Sequence, residues 1–364
     1  MKKWKEIVNG KKALALVLTA AVCGSMLTGC GSSSGSSSAK AGSAGELNLF
    51  IWTEYVPDSV IKKFEDETGI KVNVSTYSTN EDMLAKVKSE SAGAYDIVQP
   101  SDYMVKQMAA EGLLEKLDHS KLTNMSNIAA QYLNVSYDPN NVYSMPYQGG
   151  VAAIAVNTSK VKTKIDSYAD LFDPSLKGTE VVLDDYRAVI GMTERSLGYS
   201  MNETDPAKLS KVQEKLLTLK NNVKLYDSDS PKSALISGDC TVGFCWSAEI
   251  ALAMEDNPNI KIVFPKEGPY KFMDNWCITK GSKNEENALK FINFMMDPDT
   301  AVMVSKEYPY LQPNATAVKK MGNDYMNNQA KNVPASVIKA GESVENLNTN
   351  TLETYDAMWT KLKG

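Results

Sequence analysis

The sequence predicts an α/β protein of two lobes, each a mostly parallel sheet flanked by helices and hinged by crossing segments. Its 364 residues are enough for about two domains. From Leu47 onward, the spacing of apolar residues switches repeatedly between two and 3.6, which is typical of strands alternating with helices. The pattern breaks at residues 146–150 (PYQGG), which we interpret as the first crossing between the lobes.

Residues 1–29 are predicted to be a lipoprotein signal peptide. Lysines in residues 2–12 precede an apolar run over 13–22 that is too short to span a bilayer. The following Leu27-Thr28-Gly29-Cys30 resembles the lipobox of bacterial lipoproteins, so Cys30 is the expected lipidation site. Residues 30–45 are rich in Ser and Gly and are expected to form a flexible tether. We therefore expect an extracytoplasmic or periplasmic protein, anchored by lipid to the outer face of the cell membrane.

The elements of the first lobe are expected in the following order. They are a strand over 47–51, a helix ended by Gly69, a strand over 70–74, a helix opened by Asn80, a strand over 97–98 and a helix ended by Gly112. The predicted lobe boundaries place residues 46–150 and 275–315 in lobe 1. Lobe 2 is expected to contain residues 151–274 and 316–364.

The second half of the sequence is expected to repeat the alternation. Its predicted strands cover 151–156, 180–183, 223–226, 241–246 and 261–264. Helices are expected over 186–197, from Pro206 with Asp205 as its cap, around Phe291 and over 352–362. Cys240, Cys245 and Cys277 have apolar neighbours and are odd in number, which favours buried thiols over a disulfide.

Composition excludes several classes of function. The single histidine, His119, cannot build a His-rich metal site, and we expect neither a metal nor a cofactor. Residues 1–29 carry five lysines and one glutamate, so their removal changes the formal charge from −5 to −9. Such an acidic protein is not expected to bind nucleic acid and is better suited to cations. The sequence has no phosphate loop, dinucleotide fingerprint or nucleophile elbow, which argues against an enzyme.

Aromatic residues stand beside acids at the ends of predicted strands. These groups are Trp52-Thr53-Glu54-Tyr55, Ser101-Asp102-Tyr103, Trp246 with Glu249, and Phe272-Met273-Asp274. In open α/β sheets, ligands bind outside the carboxyl ends of strands, so these residues are expected to border a cleft. Rings and carboxylates together complement an organic cation with ammonium groups on an alkyl stem. The alternative is that the rings belong to the core and the acids are solvated loop charges.

Four segments closely resemble the spermidine/putrescine-binding proteins of bacterial polyamine ABC transporters. They are FIWTEYVP at 50–57, ETGIKV at 67–72, AYDIVQPS at 94–101 and FPKEG at 264–268. The resemblance runs from about Glu46 to the C-terminus. It implies a type II periplasmic-binding-protein fold whose lobes close on putrescine or spermidine like a hinge. It also implies a monomer that delivers the polyamine to the membrane subunits of an ABC permease.

The resemblance also implies a set of binding residues. The rings expected to box the alkyl stem are Trp52, Tyr103, Trp246, Phe272 and Tyr310. The expected acids are Glu54, Asp185, Asp274, Glu249 and Glu345, with Thr53, Tyr55 and Ser101 as polar neighbours. Phe272 stands where spermidine-preferring members often have Trp, which favours putrescine.

Two departures from the family pattern keep alternatives open. Ala188 replaces a ligand-facing Glu, for which Glu249 is expected to compensate, and Gln148 replaces an aromatic residue in one wall. The same fold with another small cationic or polar metabolite, such as a sugar, is therefore a second hypothesis. A third is a secreted hydrolase that uses Asp184 and Asp185 as a carboxylate pair, although adjacent side chains usually point apart.

Overall fold

A computed structural model describes residues 44–364 of the chain. The predicted signal peptide, Cys30 and nearly all of the tether lie outside the described residues. Within them, the strands are β1 (Glu46–Trp52), β2 (Lys71–Tyr77), β3 (Ile97–Val98), β4 (Ser144–Asn157), β5 (Glu180–Val182), β6 (Val223–Tyr226), β7 (Val242–Trp246), β8 (Ile260–Val263) and β9 (Tyr270–Ile278).

The helices surround this set of strands. They are α1 (Asp58–Thr68), α2 (Asn80–Ser89), α3 (Asp102–Ala110), α4 (Tyr186–Ser196), α5 (Pro206–Leu219), α6 (Lys232–Ser237), α7 (Ser247–Asp256), α8 (Glu285–Met295), α9 (Pro298–Glu307), α10 (Ala315–Met326), α11 (Ala335–Ala340) and α12 (Thr349–Lys363). Across residues 44–364, no helix combines the length and the apolar character needed to cross a membrane.

The described strands form one sheet with two parallel groups joined by two long antiparallel strands. The order is β2-β1-β3-β9-β4-β7-β5-β6, and β8 pairs with β4. Strands β2, β1 and β3 are parallel, and so are β6, β5 and β7. Between the two groups, β9 and β4 pair with each other in antiparallel register. Strand β9 also pairs antiparallel with β3 of the first group, and β4 pairs antiparallel with β7 of the second. The alternation of strands and helices therefore builds the two predicted α/β halves, and these share a central pair of strands that was not predicted.

The two long strands differ from the sequence-based prediction. Residues 146–150 do not interrupt the strand but lie inside β4, where a bulge between Pro146 and Gln148 accommodates the proline. Gly149 permits close packing here, because a Cβ atom would lie 2.7 Å from the Phe272 carbonyl oxygen. Strand β9 was not predicted, since it is buried on both faces from Asp274 onward and lacks alternation. The predicted lobe boundaries at 150 and 274 fall within β4 and β9, and this division stays a prediction.

Helix ends follow the expected chemistry at most positions. Gly69 ends α1 in the left-handed conformation with φ of 71°, and Asp205 caps α5 by accepting two backbone N–H groups. The cap of α2 is Thr79 rather than Asn80. Asn80 is buried instead, and its amide donates a hydrogen bond of 3.0 Å to Ser101 Oγ. This contact links the start of α2 to the end of β3.

The cores lie on the faces of the sheet. One cluster holds β1 against α1 and α8 through Phe64, Phe291 and Trp276. Another joins α2 and α3 of the first half to α4, α5 and α12 of the second. Cys240, Cys245 and Cys277 are buried and free, which confirms the prediction of buried thiols. Helix α12 packs against α4 and α5, so the end of the chain supports the helix that begins after β5. The loop between β5 and α4 is thereby held in place at the centre of the molecule.

Candidate ligand-binding site

A narrow cavity, which we call the slot, opens where the ends of β1, β5 and β7 face the middle of β9. The volume of the slot is about 50 Å³. The slot is lined by Trp52, Thr53, Tyr55, Ser78, Asn80, Ser101, Asp185, Ser228, Asp229, Trp246, Tyr270, Phe272, Asp274 and Tyr310. The structure thus brings most of the predicted site residues together, while their role in binding remains a prediction.

Asp274 lies in the middle of β9 and is 4% exposed. Its carboxylate accepts hydrogen bonds of 2.7 Å from Tyr55 Oη and 2.6 Å from Ser101 Oγ. Burial raises the pKa of Asp274 to about 7, and these two hydrogen bonds only partly offset that effect. No lysine or arginine among residues 44–364 forms an ion pair with Asp274 within 4.0 Å. A cationic ligand would therefore supply the charge that this buried carboxylate lacks.

Asp185 is the second carboxylate of the slot. It follows β5 and caps α4, where its Oδ1 accepts a hydrogen bond of 3.0 Å from the Ala188 N–H. Burial raises its pKa, while the Ala188 N–H and the nearby Arg187 lower it. The methyl group of Ala188 is fully buried, so the position brings no second acid to the slot. Asp184 points elsewhere and pairs with Lys363 at 2.6 Å, which separates the two acids of the hydrolase hypothesis.

Aromatic rings line the slot between these acids. Trp246 meets Phe272 edge to face with centroids 5.2 Å apart, and Phe272 is 6.2 Å from Tyr310. On the opposite side, Trp52 donates from its indole N–H to the Gln99 carbonyl oxygen at 2.8 Å, which fixes the ring at the end of β1. Rings in such edge-to-face contacts present apolar surface that suits methylene groups, and their faces attract cations.

Two predicted acids, Glu54 and Glu249, are paired with a lysine. Lys232 Nζ lies 2.8 Å from Glu54 Oε2 and 3.0 Å from Glu249 Oε2, and it also donates to Ser230 Oγ at 3.0 Å. Glu249 is 2% exposed, and its burial raises its pKa to about 7 even though Lys232 lowers it. Neither acid belongs to the lining of the slot, because Lys232 holds both carboxylates beside it.

Tyr103 and Glu345 also lie outside the slot. Tyr103 Oη donates to Glu81 Oε1 at 2.8 Å, and the Arg187 guanidinium lies 5.4 Å from the centre of its ring. Glu345 has an exposed side chain, and its carbonyl oxygen accepts a hydrogen bond of 2.7 Å from Arg187 Nη2. Both residues border a separate groove. Arg187 thus contacts both residues, through the ring of Tyr103 and the backbone of Glu345.

Several lining residues were missed in the sequence analysis. Ser78 and Asn80 follow β2, and Ser228 and Asp229 follow β6, so the strand-end rule that identified Trp52 also applies to them. Ser78 Oγ donates to Asp229 Oδ1 at 3.0 Å, which joins the two halves across the mouth of the slot. Tyr270 could not be found in this way, because it lies at the start of the unpredicted β9.

The arrangement can neutralise and desolvate a flexible cation. It supplies three carboxylates without ion-pair partners among the described residues, namely Asp185 and Asp274 within the slot and the exposed Asp229. Hydroxyl groups and ring faces lie beside them. Within residues 44–364, no group of three or more His, Cys, Asp or Glu side chains is placed to hold a metal ion. The chemistry that the slot offers is recognition of charge and shape.

Comparisons with known proteins give a consistent result. Residues 59–334 match the model of a family described as bacterial extracellular solute-binding protein. A spermidine/putrescine-binding periplasmic protein of Escherichia coli K12 is 39% identical, covering 100% of this chain and 99% of that protein.

Solved structures are also similar to this chain. A Listeria monocytogenes protein assigned to spermidine/putrescine ABC transport has a TM-score of 0.84 and 35% identity, with 87% of this chain and 98% of that chain covered. The TpPotD lipoprotein of Treponema pallidum has a TM-score of 0.78 and 28% identity, with coverage of 87% and 99%.

Proposed function

The chain belongs to the bacterial extracellular solute-binding protein family, and from this premise we propose that it captures a polyamine outside the cytoplasm and delivers it to an ABC permease. Membership in the family confirms the resemblance seen in the sequence, and the likeness to solved structures confirms the type II fold. The observation that carries the proposal is the pair Asp185 and Asp274. Both carboxylates face an aromatic slot without an ion-pair partner among the described residues.

The polyamine binds by exchanging water for carboxylates and rings. One ammonium group pairs with Asp274, where Tyr55 and Ser101 already orient the carboxylate oxygens. A second ammonium pairs with Asp185. Each methylene between the rings contributes about 0.8 kcal/mol, and each cation–π contact adds roughly 0.5–2 kcal/mol. These terms together support binding without any chemical change to the ligand, so we propose no catalytic activity.

Closure of the two halves completes the site. Ser78 and Glu54 belong to the half that contains β1 and β2, whereas Asp229 and Lys232 follow β6. The contacts between these pairs hold the slot closed on its ligand. A ligand that binds both halves shifts the population toward the closed form. The permease then recognises this closed form. The protein acts as a monomer in this cycle and needs no cofactor.

The direct test of the proposed function is isothermal titration of the mature protein with putrescine, spermidine, a neutral sugar and a neutral amino acid. We expect saturable binding of at least one polyamine and none of the sugar or the amino acid. Binding of the sugar alone would favour the second hypothesis, and a response to none of the amines would overturn the proposal.

Lipid anchoring through Cys30 is part of the proposed function. It is supported by the sequence Leu27-Thr28-Gly29-Cys30 and by the similarity to a lipoprotein of Treponema pallidum. Two acyl chains and the tether would keep the binding domain near the permease. Mass spectrometry of the N-terminal peptide from bacterial membranes is expected to show an acylated Cys30. A Cys30→Ser variant should be released from the membrane, and an unmodified N-terminus would contradict the anchor.

A further inference from the structure

We propose that Lys232 supplies a built-in ammonium group that fills an amine-binding position at one end of the slot, so that the site takes a diamine in preference to a triamine. This inference rests on the proposed function and specifies the substrate class of the same site. Lys232 is thus a specificity-determining residue, which acts by occupying two carboxylates that a longer polyamine would otherwise use.

The contacts of Lys232 are those expected for a bound ammonium group. Its Nζ lies 2.8 Å from Glu54 Oε2, 3.0 and 3.1 Å from the two oxygens of Glu249, and 3.0 Å from Ser230 Oγ. A lysine ammonium has three N–H donors, and this set of acceptors uses all of them. Glu249 is buried, so its carboxylate needs a cation beside it.

This ion-pair cluster adjoins the slot. Thr53, next to Glu54, lines the slot, and Trp246 lies three residues before Glu249, at the end of the strand that leads into α7. The Tyr310 ring reports the same convergence, because Glu249, Asp274 and Glu54 all raise the pKa of its hydroxyl in addition to burial. Asp274 also raises the pKa of Tyr270, together with Asp185. Tyr310 therefore lies near the acids of the Lys232 cluster and Asp274, and Tyr270 lies near Asp274 and Asp185.

The acids left to a ligand match two ammonium groups. Asp274 and Asp185 are the carboxylates recessed in the slot that have no ion-pair partner within the described part of the chain. Asp229 also lines the slot, but it is exposed and accepts from Ser78, and exposed ion pairs contribute little. A third ammonium would have to displace Lys232 from Glu54 and Glu249 or remain in water. Either outcome penalises a triamine relative to a diamine.

Lys232 also joins the two halves, since Glu54 follows β1 whereas Glu249 lies in α7. A residue that served only to hold the halves together would change the affinity for every ligand in the same proportion. A residue that fills an amine position changes the ratio of the affinities for spermidine and putrescine. The ratio therefore separates the two roles.

The test is titration of putrescine and spermidine into the wild-type protein and the Lys232→Met variant, which keeps an apolar stem and removes the ammonium. The wild type is expected to prefer putrescine by at least about tenfold, and Lys232→Met is expected to shift the ratio toward spermidine by at least about tenfold. The triple variant Lys232→Met/Glu54→Gln/Glu249→Gln should lose this gain in spermidine affinity, and it also avoids leaving a buried carboxylate unpaired. Lys224→Met is the matched control, because it removes an exposed lysine that pairs with Asp239 at 3.3 Å.

The outcomes distinguish this inference from the proposed function. If the wild type binds neither amine, the proposed function and this inference both fail. Binding of both amines with the same ratio in the wild type and Lys232→Met overturns the inference alone. An equal shift in Lys224→Met would attribute the effect to net charge, and a gain retained in the triple variant would place the third ammonium elsewhere. Each of these last two results also overturns the role of Lys232.

Discussion

Asp274→Asn is expected to weaken putrescine binding by about 100- to 1,000-fold, because it removes a buried charge from a desolvated pair. The asparagine keeps an oxygen that can accept from Ser101 or Tyr55, so the fold is expected to persist. The ammonium of the ligand would then lose its solvation without gaining a carboxylate. Isothermal titration measures the change in affinity, and thermal melting without ligand checks the fold.

Asp184→Asn is the matched control for this result. Asp184 carries the same charge and lies next to Asp185, but it pairs with Lys363 outside the slot. Its replacement is expected to change the affinity by less than about twofold, since an exposed ion pair is worth little. A loss in Asp184→Asn equal to that in Asp274→Asn would show that net charge, rather than the slot, governs binding. Affinity of Asp274→Asn within threefold of wild type would contradict the assignment directly.

Putrescine binding is expected to weaken about 100-fold between pH 8 and pH 5 through Asp274 alone, because its pKa of about 7 in the free protein requires it to lose a proton before it pairs with an ammonium. The groups facing this carboxyl are the hydroxyls of Tyr55 and Ser101 and the more distant acid Asp102. Asp185, whose pKa is also raised, adds to the slope. Titration at several pH values measures this dependence.

The same raised pKa gives the opposite sign for stability. Between about pH 4 and pH 7, the folded protein holds a proton on Asp274 that the unfolded chain releases, so this group favours the folded state as the pH falls. Glu249 acts in the same direction. We therefore expect binding to weaken at pH 5 while the melting temperature of the free protein does not fall in parallel. The affinity of Asp274→Asn for putrescine should depend less steeply on pH than that of the wild type. An unchanged slope of affinity against pH in that variant would contradict this account.

Much of the candidate site could be predicted from the sequence because it lies at strand ends. Trp52 and Trp246 are the last residues of β1 and β7, so a local pattern placed both at one edge. Asp185 follows β5 and fits the same rule, but it was assigned through resemblance to a family. Ser78 and Asp229 obey the same rule and could have been included. Asp274 was assigned through resemblance to a family, whereas its position within a long strand was not foreseen.

The sequence alone determined the alternation of strands and helices, the acidic charge, the resemblance of residues 27–30 to a lipobox and the residue types that suit an organic cation. These features depend on neighbours a few positions apart, where apolar spacing and helix caps act. Only the tertiary structure decided that Lys232 pairs with Glu54, 178 residues away, and that Tyr103 and Glu345 contact Arg187 and do not line the slot. Such pairings follow from how distant segments meet across the sheet, and no local spacing encodes them.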